Sequence, residues 1–256
     1  MQQGFYLPTV LITGATSGFG LATARKFADN GYPLILTGRR EERLRAIADE
    51  LAPLTEVFTY KLDVRKTEEV QAMMEALPEA FKRIEVLVNN AGLALGASPA
   101  DEADLRDWHT MIETNVTGLV NVTHALLPIL KAQAKATIIN LGSIASNWSY
   151  PGAHVYGATK AFVQQFSRNL RSDFAGTGIR VTSLEPGLSE SEFSLVRFGG
   201  DQEKYNAIYN ETNALQPEDI ADIIFWIADQ PTHININSLE VMPTCQAWDN
   251  FKLVRS

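Results

Sequence analysis

Thr9-Val10-Leu11-Ile12-Thr13-Gly14-Ala15-Thr16-Ser17-Gly18-Phe19-Gly20 is the stretch whose reading decides the fold. Five β-prone residues run straight into a turn with glycines at 14, 18 and 20, and an apolar-periodic segment, Phe19–Asn30, follows. A strand, a glycine turn and a helix in that order let the backbone approach a pyrophosphate, whose charge then sits on the helix N-terminus. The spacing is G-x-x-x-G-x-G rather than G-x-G-x-x-G, so by itself the turn also suits an ordinary glycine-rich bend. Its place in the first strand–turn–helix unit favours the nucleotide reading.

Outward from this unit, short β-branched runs alternate with amphipathic segments. Further strands are expected at Pro33–Thr37, Val57–Lys61, Val86–Asn89, Thr137–Leu141, Arg180–Leu184 and Ser238–Met242. Helices are expected at Glu41–Leu51, Thr67–Leu77, Asp104–Leu130, Tyr156–Phe174 and Glu218–Ala228. Gly31 and Pro33 stop the first helix, and Pro217-Glu218-Asp219 starts the last. Seven strands separated mostly by helices predict an α/β, Rossmann-like, doubly wound and mostly parallel sheet with helices on both faces. The whole span 1–256 is taken as one nucleotide-binding domain. Within it, Gly187–Asn213 has weak periodicity and paired glycines, which reads as a mobile lid or substrate loop.

Composition narrows the function. The chain carries a net charge of −8 without a long Lys/Arg run, which argues against nucleic acid. One cysteine excludes an internal disulfide and a cysteine-based zinc cluster, and four scattered histidines lack ligand spacing, so no metal is expected. Met1–Pro8 does not resemble a signal peptide, and no apolar run is long enough to span a bilayer, so the expected compartment is the cytoplasm, with no membrane contact.

Past the second strand, where an NAD-selecting enzyme would place an acid beside the adenosine ribose, the chain has Gly38-Arg39-Arg40. A guanidinium there suits a 2′-phosphate, and the expected cofactor is NADP (NADPH). Tyr156 and Lys160 stand at i and i+4, on one helix face. The ammonium is expected to lower the phenol's pKa and make Tyr156 a proton donor or acceptor. Ser143 follows a strand's C-terminal end, which in a doubly wound sheet points into the ligand crevice.

Taken together these segments resemble the short-chain dehydrogenase/reductase family over nearly the whole chain. Thr13–Gly20 is similar to its cofactor loop, with Gly14, Thr16, Ser17, Gly18, Phe19 and Gly20 as contacts. Leu62-Asp63-Val64 is similar to its adenine contact, and Asn89-Asn90-Ala91-Gly92 to the segment lying along the cofactor. Asn115 matches the asparagine of the family's tetrad with Ser143, Tyr156 and Lys160. Pro186-Gly187-Leu188 resembles the turn before the nicotinamide-contacting loop, in which Ser191 stands where a threonine is usual. The segment Ser189-Glu190-Ser191-Glu192-Phe193 is shorter and more acidic than the related pattern. Within the family, the likeness runs to NADP-dependent 3-hydroxy acid dehydrogenases and, through them, to sulfoacetaldehyde reductases.

The resemblance implies hydride transfer between NADP(H) and a small anionic hydroxy or carbonyl compound. Tyr156 would move the proton and Ser143 would hold the substrate oxygen. Lys160 would bind the nicotinamide ribose, and Asn115 would hold a water linking Lys160 to solvent. It also implies a homotetramer built through the two long helices. Arg197 is the candidate partner for the substrate anion, with Tyr150 and Gln246 as hydrogen-bond donors. A non-catalytic NADP sensor would dispense with Ser143, Tyr156 or Lys160, and all three are present.

Overall fold

The computed structural model describes residues 7–248 and 253–255. Most of the Met1–Pro8 stretch therefore lies outside the described residues. In chain order the elements are β1 (Thr9–Thr13), α1 (Gly18–Asp29), β2 (Leu34–Gly38), α2 (Glu41–Leu51), β3 (Val57–Lys61) and α3 (Thr67–Ala76). Then come β4 (Ile84–Asn89), α4 (Leu105–Ile112), a π-helical turn at Glu113–Gly118, α5 (Leu119–Ala132), β5 (Ala136–Leu141) and α6 (His154–Asp173). The last are β6 (Ile179–Pro186), α7 (Glu192–Arg197), α8 (Gln202–Tyr209), α9 (Pro217–Ala228) and β7 (Ser238–Val241).

The strands form one sheet in the order β3-β2-β1-β4-β5-β6-β7, every neighbouring pair parallel. Alternate side chains along each strand enter opposite apolar layers. Val10 and Ile12 of β1 pack with Phe27, Leu44 and Ile224 on the α1–α2–α9 side, and Leu11 packs with Met73, Leu126 and Leu170 on the α3–α5–α6 side. Both faces are covered, which is why the central strands are continuous runs of Val, Ile and Leu rather than alternating with polar residues. Strand order reverses between β1 and β4, so the crevice opens at the C-terminal ends of these strands, where such sheets bind ligands.

Two expectations need correction. The helix expected over Asp104–Leu130 is interrupted: Glu113–Gly118 adopts i→i+5 geometry between α4 and α5. Gly118 there backs onto the β3–α3 connection, and a Cβ on it would lie 2.5 Å from Val64 Cγ2. Asn121, one turn on, donates to the Val64 carbonyl at 3.1 Å. The π-turn is thus the backbone's response to a close crossing, as such turns often are at functional sites. The second correction concerns residues 187–213, which hold two helices, α7 and α8, rather than an irregular stretch. Their stability is long-range: the buried Tyr209 hydroxyl reaches Ser194 Oγ at 2.6 Å and donates to the Ser189 carbonyl at 2.7 Å. Tyr205 donates to Glu190 at 3.1 Å.

Candidate active site

The glycine turn is shaped by what crosses it. Gly14 has φ +67° and a Cβ on it would stand 2.9 Å from Ala91 Cα. At Gly20 a Cβ would meet the Gly14 carbonyl oxygen and Asn90 Nδ2 at 2.5 Å each. Thr13 and Asn90 stitch the turn to the end of β4: Asn90 Nδ2 donates to the Thr13 and Gly14 carbonyls at 2.9 and 3.1 Å. The Thr13 hydroxyl accepts from the Asn90 and Ala91 amides at 3.1 and 3.0 Å. Asn90 thereby holds the loop. Helix α1 begins with no side-chain cap and no acid in its first turn, so its N-terminal amides suit an incoming pyrophosphate.

From this turn a cleft of about 690 Å³ runs to the substrate end. Its lining includes Gly14, Thr16, Ser17, Gly18, Phe19, Arg39, Arg40, Asp63 and Val64 at one end and Asn90, Ala91 and Gly92 in the middle. Ser143, Tyr150, Tyr156, Lys160, Pro186, Gly187, Leu188, Ser191, Arg197 and Gln246 complete it. Two predicted residues support the cleft from behind: Gly20 packs under the turn, and Asn115 is buried in the π-turn. The Asn115 amide is fully used, accepting from Leu93 N at 2.8 Å and donating to the Leu93 carbonyl at 2.8 Å and Thr159 Oγ1 at 3.0 Å.

At the centre, Ser143 sits just past β5, where its Oγ accepts from the Ala145 amide at 3.1 Å. Tyr156 and Lys160 project from α6 and are buried. Lys160 Nζ donates to the Leu141 carbonyl at 2.6 Å and, among the described residues, meets no carboxylate. Burial lowers its pKa to about 8. Tyr156 departs from expectation: burial pushes the phenol above its ordinary range, against the pull of a hydrogen bond with Ser143 and of the Arg197 charge. The Lys160 ammonium lies over the Tyr156 ring, 5.8 Å from its centroid, and burial outweighs the effects that lower the phenol.

Helix α7 closes the other wall. Arg197 places its guanidinium carbon 5.9 Å from the Tyr156 ring and 5.6 Å from the Tyr150 ring, donates to the Tyr150 hydroxyl at 3.2 Å and to the Gly96 carbonyl at 3.1 Å. Gln246 accepts from the Leu188 amide at 2.8 Å, which sets the turn after β6. Ser191 caps α7, accepting from Phe193 N at 3.3 Å, and lies over Gly18, where a Cβ would be 3.5 Å from its own. Asp63 is paired with Arg65 at 2.6 Å, which holds its carboxyl below the usual range.

The structure adds residues that local pattern did not single out. Phe193 packs its ring 5.8 Å from that of Tyr156. Glu192 bridges Arg40 at 2.9 Å and Arg43 at 2.8 Å. The only signal for them was the acidic Ser189–Phe193 segment, whose partners lie far away in sequence.

Residues 8–197 match the model of the short chain dehydrogenase family. The chain belongs to that family. This short chain dehydrogenase is 60% identical over 247 residues to sulfoacetaldehyde reductase 2 of Chromohalobacter salexigens, covering 96% of this chain and 98% of the relative. It is 52% identical over 248 residues to the NADP-dependent 3-hydroxy acid dehydrogenase YdfG of Salmonella typhi, covering 96% and 99%. Among solved structures, the closed form of a serine dehydrogenase complexed with NADP+ superposes with a TM-score of 0.92 at 48% identity, covering 97% of this chain and all of that one.

Proposed function

We propose that this short chain dehydrogenase is an NADP(H)-dependent oxidoreductase that interconverts a small anionic hydroxy compound, of the 3-hydroxy acid type, and its semialdehyde or keto form. The observation that carries the substrate class is Arg197: a cation stands over the ring of the proton donor, held by Tyr150 and the Gly96 carbonyl. A carboxylate or sulfonate bound there sets its neighbouring carbonyl against Tyr156 and Ser143.

The residues of the cleft fit the cofactor. The uncapped start of α1 would take the pyrophosphate, Asp63 and Val64 would hold the adenine, and Arg39 and Arg40 would take the 2′-phosphate. Pro186, Gly187, Leu188 and Ser191 border the nicotinamide end. When bound, the nicotinamide supplies or accepts the hydride. In reduction, Tyr156 donates its phenolic proton to the carbonyl oxygen while the Ser143 hydroxyl holds that oxygen. Lys160 in its ammonium form holds the nicotinamide ribose and stabilises the phenolate left behind. Asn115, its side chain committed to Leu93 and Thr159, keeps the π-turn shaped behind Lys160. Gln246 contributes its amide N–H to the substrate end, and residues 187–213 act as the lid.

A second reading, reduction of sulfoacetaldehyde, is favoured by the 60% identity to a reductase of that name against 52% for a 3-hydroxy acid dehydrogenase. Following NADPH absorbance with malonic semialdehyde and with sulfoacetaldehyde, NADH in parallel, separates the two. Preference for the carboxylate supports the first reading; preference for the sulfonate replaces it; silence on both removes the proposed substrate class. We infer a homotetramer in the cytoplasm, its subunits meeting through the two long helical segments. In support, Phe162 is exposed on α6 and stacked on Phe166 at 5.7 Å. Among the described residues no helix is long and apolar enough to cross a membrane.

A further inference from the structure

Three arginines, Arg39, Arg40 and Arg43, stand where β2 gives way to α2, at the adenosine end of the cleft. Arg40 is held on several sides. Its Nε and Nη2 donate to Thr16 Oγ1 at 3.0 and 2.8 Å, and Nη2 also donates to Ser17 Oγ at 2.7 Å. Its remaining edge, Nη1, donates to Glu192 at 2.9 Å, and Arg43 Nη1 donates to the same carboxylate at 2.8 and 3.1 Å. Arg39 joins no ion pair of 4 Å or less among the described residues, but its charge helps hold the Asp63 carboxyl low. Glu192 is the first residue of α7, so the acid comes from the lid and not from the nucleotide-binding half. Behind it a second groove of about 300 Å³, lined by Thr16, Ser17, Arg43, Ile47 and Glu192, runs between α1 and α2. The carboxylate is thus planted at the mouth shared by both spaces.

A carboxylate on an arginine fork makes the same planar, charge-assisted contacts that a phosphate makes. We propose that Glu192 is a specificity-determining residue that occupies the 2′-phosphate arginines in the free chain, so that a 2′-phosphorylated cofactor competes with the lid for Arg40 and Arg43. This rests on the assignment of Arg39 and Arg40 to the 2′-phosphate and extends it to Arg43, which shares the Glu192 carboxylate with Arg40. Burial works to raise the Glu192 carboxyl, but hydrogen bonds from Arg43 and Arg40 outweigh it and keep the group ionised at neutral pH. An anion of charge near −2 arriving at Arg39, Arg40 and Arg43 therefore meets a like charge already seated. It either evicts the carboxylate, releasing the N-terminal end of α7, or binds against it, and both routes cost affinity for the phosphorylated dinucleotide alone. NAD(H), with a neutral 2′-hydroxyl, makes no such demand. Glu192 consequently narrows the preference that the arginines create, and it ties the hold of the lid to the phosphate at the far end of the cofactor.

The test is binding rather than turnover. Affinities of the full chain for NADPH, NADH and 2′,5′-ADP are measured by calorimetry in low and high salt, for wild type, Glu192→Gln and Glu192→Asp. Glu192→Gln is expected to tighten NADPH and 2′,5′-ADP roughly three- to ten-fold, the range for removing one or two exposed ion-pair competitors. NADH should be unchanged, the gain should shrink in high salt, and Glu192→Asp, which keeps the charge, should stay near wild type. An unchanged or weaker NADPH affinity in Glu192→Gln, with wild type still preferring NADPH, overturns the competition and makes Glu192 a strut for Arg40. Equal tightening of NADH reduces it to a general effect on the lid. A wild-type chain that binds NADPH no better than NADH refutes the 2′-phosphate assignment itself.

Discussion

The two walls of the cleft are built by different means. The sheet-side wall, with Ser143, Tyr156, Lys160 and Asn115, is buried, and its polar groups are tied largely to backbone: Lys160 to Leu141, Ser143 to Ala145, Asn115 to Leu93. The lid-side wall is held by side chains: the half-exposed Glu192 reaches Arg40 and Arg197 reaches Tyr150 across the cleft, while Tyr209 ties the lid segment to itself. Backbone-tied groups in a close-packed layer keep their geometry whatever is bound, whereas exposed ion pairs exchange partners at little cost. The proposed chemistry is therefore placed on the fixed wall, and recognition of cofactor and substrate charge on the adjustable one.

The severest way to break this division is to disturb the fixed wall. Tyr156→Phe removes one hydroxyl from a buried ring and leaves the ring packed on Phe193. Turnover should fall by about 10³-fold, within the range of general acid–base catalysis, while the affinity for NADPH measured by calorimetry changes less than about two-fold. Turnover close to wild type would take the proton-donor role from Tyr156 and give the chemistry to the other wall.

Disturbing the lid at Arg197 should look different. Arg197→Ala removes charge-assisted bonds to the anion, each worth about 1.5–3 kcal/mol, so KM for the anionic substrate should rise on the order of 10- to 100-fold. The value of kcat should move far less, and KM for an uncharged short-chain aldehyde should stay where it is. A loss confined to kcat would mean that Arg197 acts through the Tyr156 ring over which it sits.

The same contrast marks what was legible in the sequence. The seven strands, the glycine turn and the Tyr156–Lys160 face could be read because each is a local pattern: a short β-branched or apolar run, a turn, or i and i+4. The π-turn at Glu113–Gly118 was hidden, because Asp104–Leu130 carries ordinary helical periodicity and the close contact is with Val64, in the connection between β3 and α3 and remote in sequence. Helices α7 and α8 were missed since they are short and depend on Tyr209 and Tyr205 reaching back to Ser189 and Glu190. The Tyr156 shift had the wrong sign because an i,i+4 lysine was legible, while the burial that overrides it is made by residues such as Phe193, remote in sequence. Glu192 could be seen as an unusual acid but not as the partner of Arg40.

Acidity sharpens the comparison further. Lys160 has its pKa lowered from 10.5 to about 8, so the ammonium is fully present well below pH 8 and is lost as pH rises through that value. For reduction by the free enzyme, kcat/KM for NADPH should decline above pH 8, by up to about ten-fold per unit for one essential proton. Tyr156, held above its ordinary value, stays protonated over the same range and should impose no second limb there. Without cofactor, the folded chain has released a proton between pH 8 and 10.5 that the unfolded chain keeps. The Lys160 contribution to stability should thus rise with pH in that window. Denaturant titrations of wild type and Lys160→Met across it isolate the term, and a slope of the opposite sign would show that Lys160 is not desolvated in the free chain.

The smallest effect is expected at Tyr209→Phe. The hydroxyl lost there links Ser189 and Ser194, both within the 187–213 segment, so nothing in the sheet is left unpaired. One such group is worth about 1 kcal/mol, and it belongs to a part of the chain that opens locally rather than with the whole molecule. Global unfolding should shift by less than about 1 kcal/mol, while amide exchange in α7 and α8 speeds up several-fold and KM rises about two-fold. A loss of global stability as large as that of a core truncation such as Leu126→Ala, about 2–5 kcal/mol, would mean that the lid folds cooperatively with the sheet. The two walls would then be one mechanical unit, and the ease of partner exchange at Glu192 would have to come from its exposure alone.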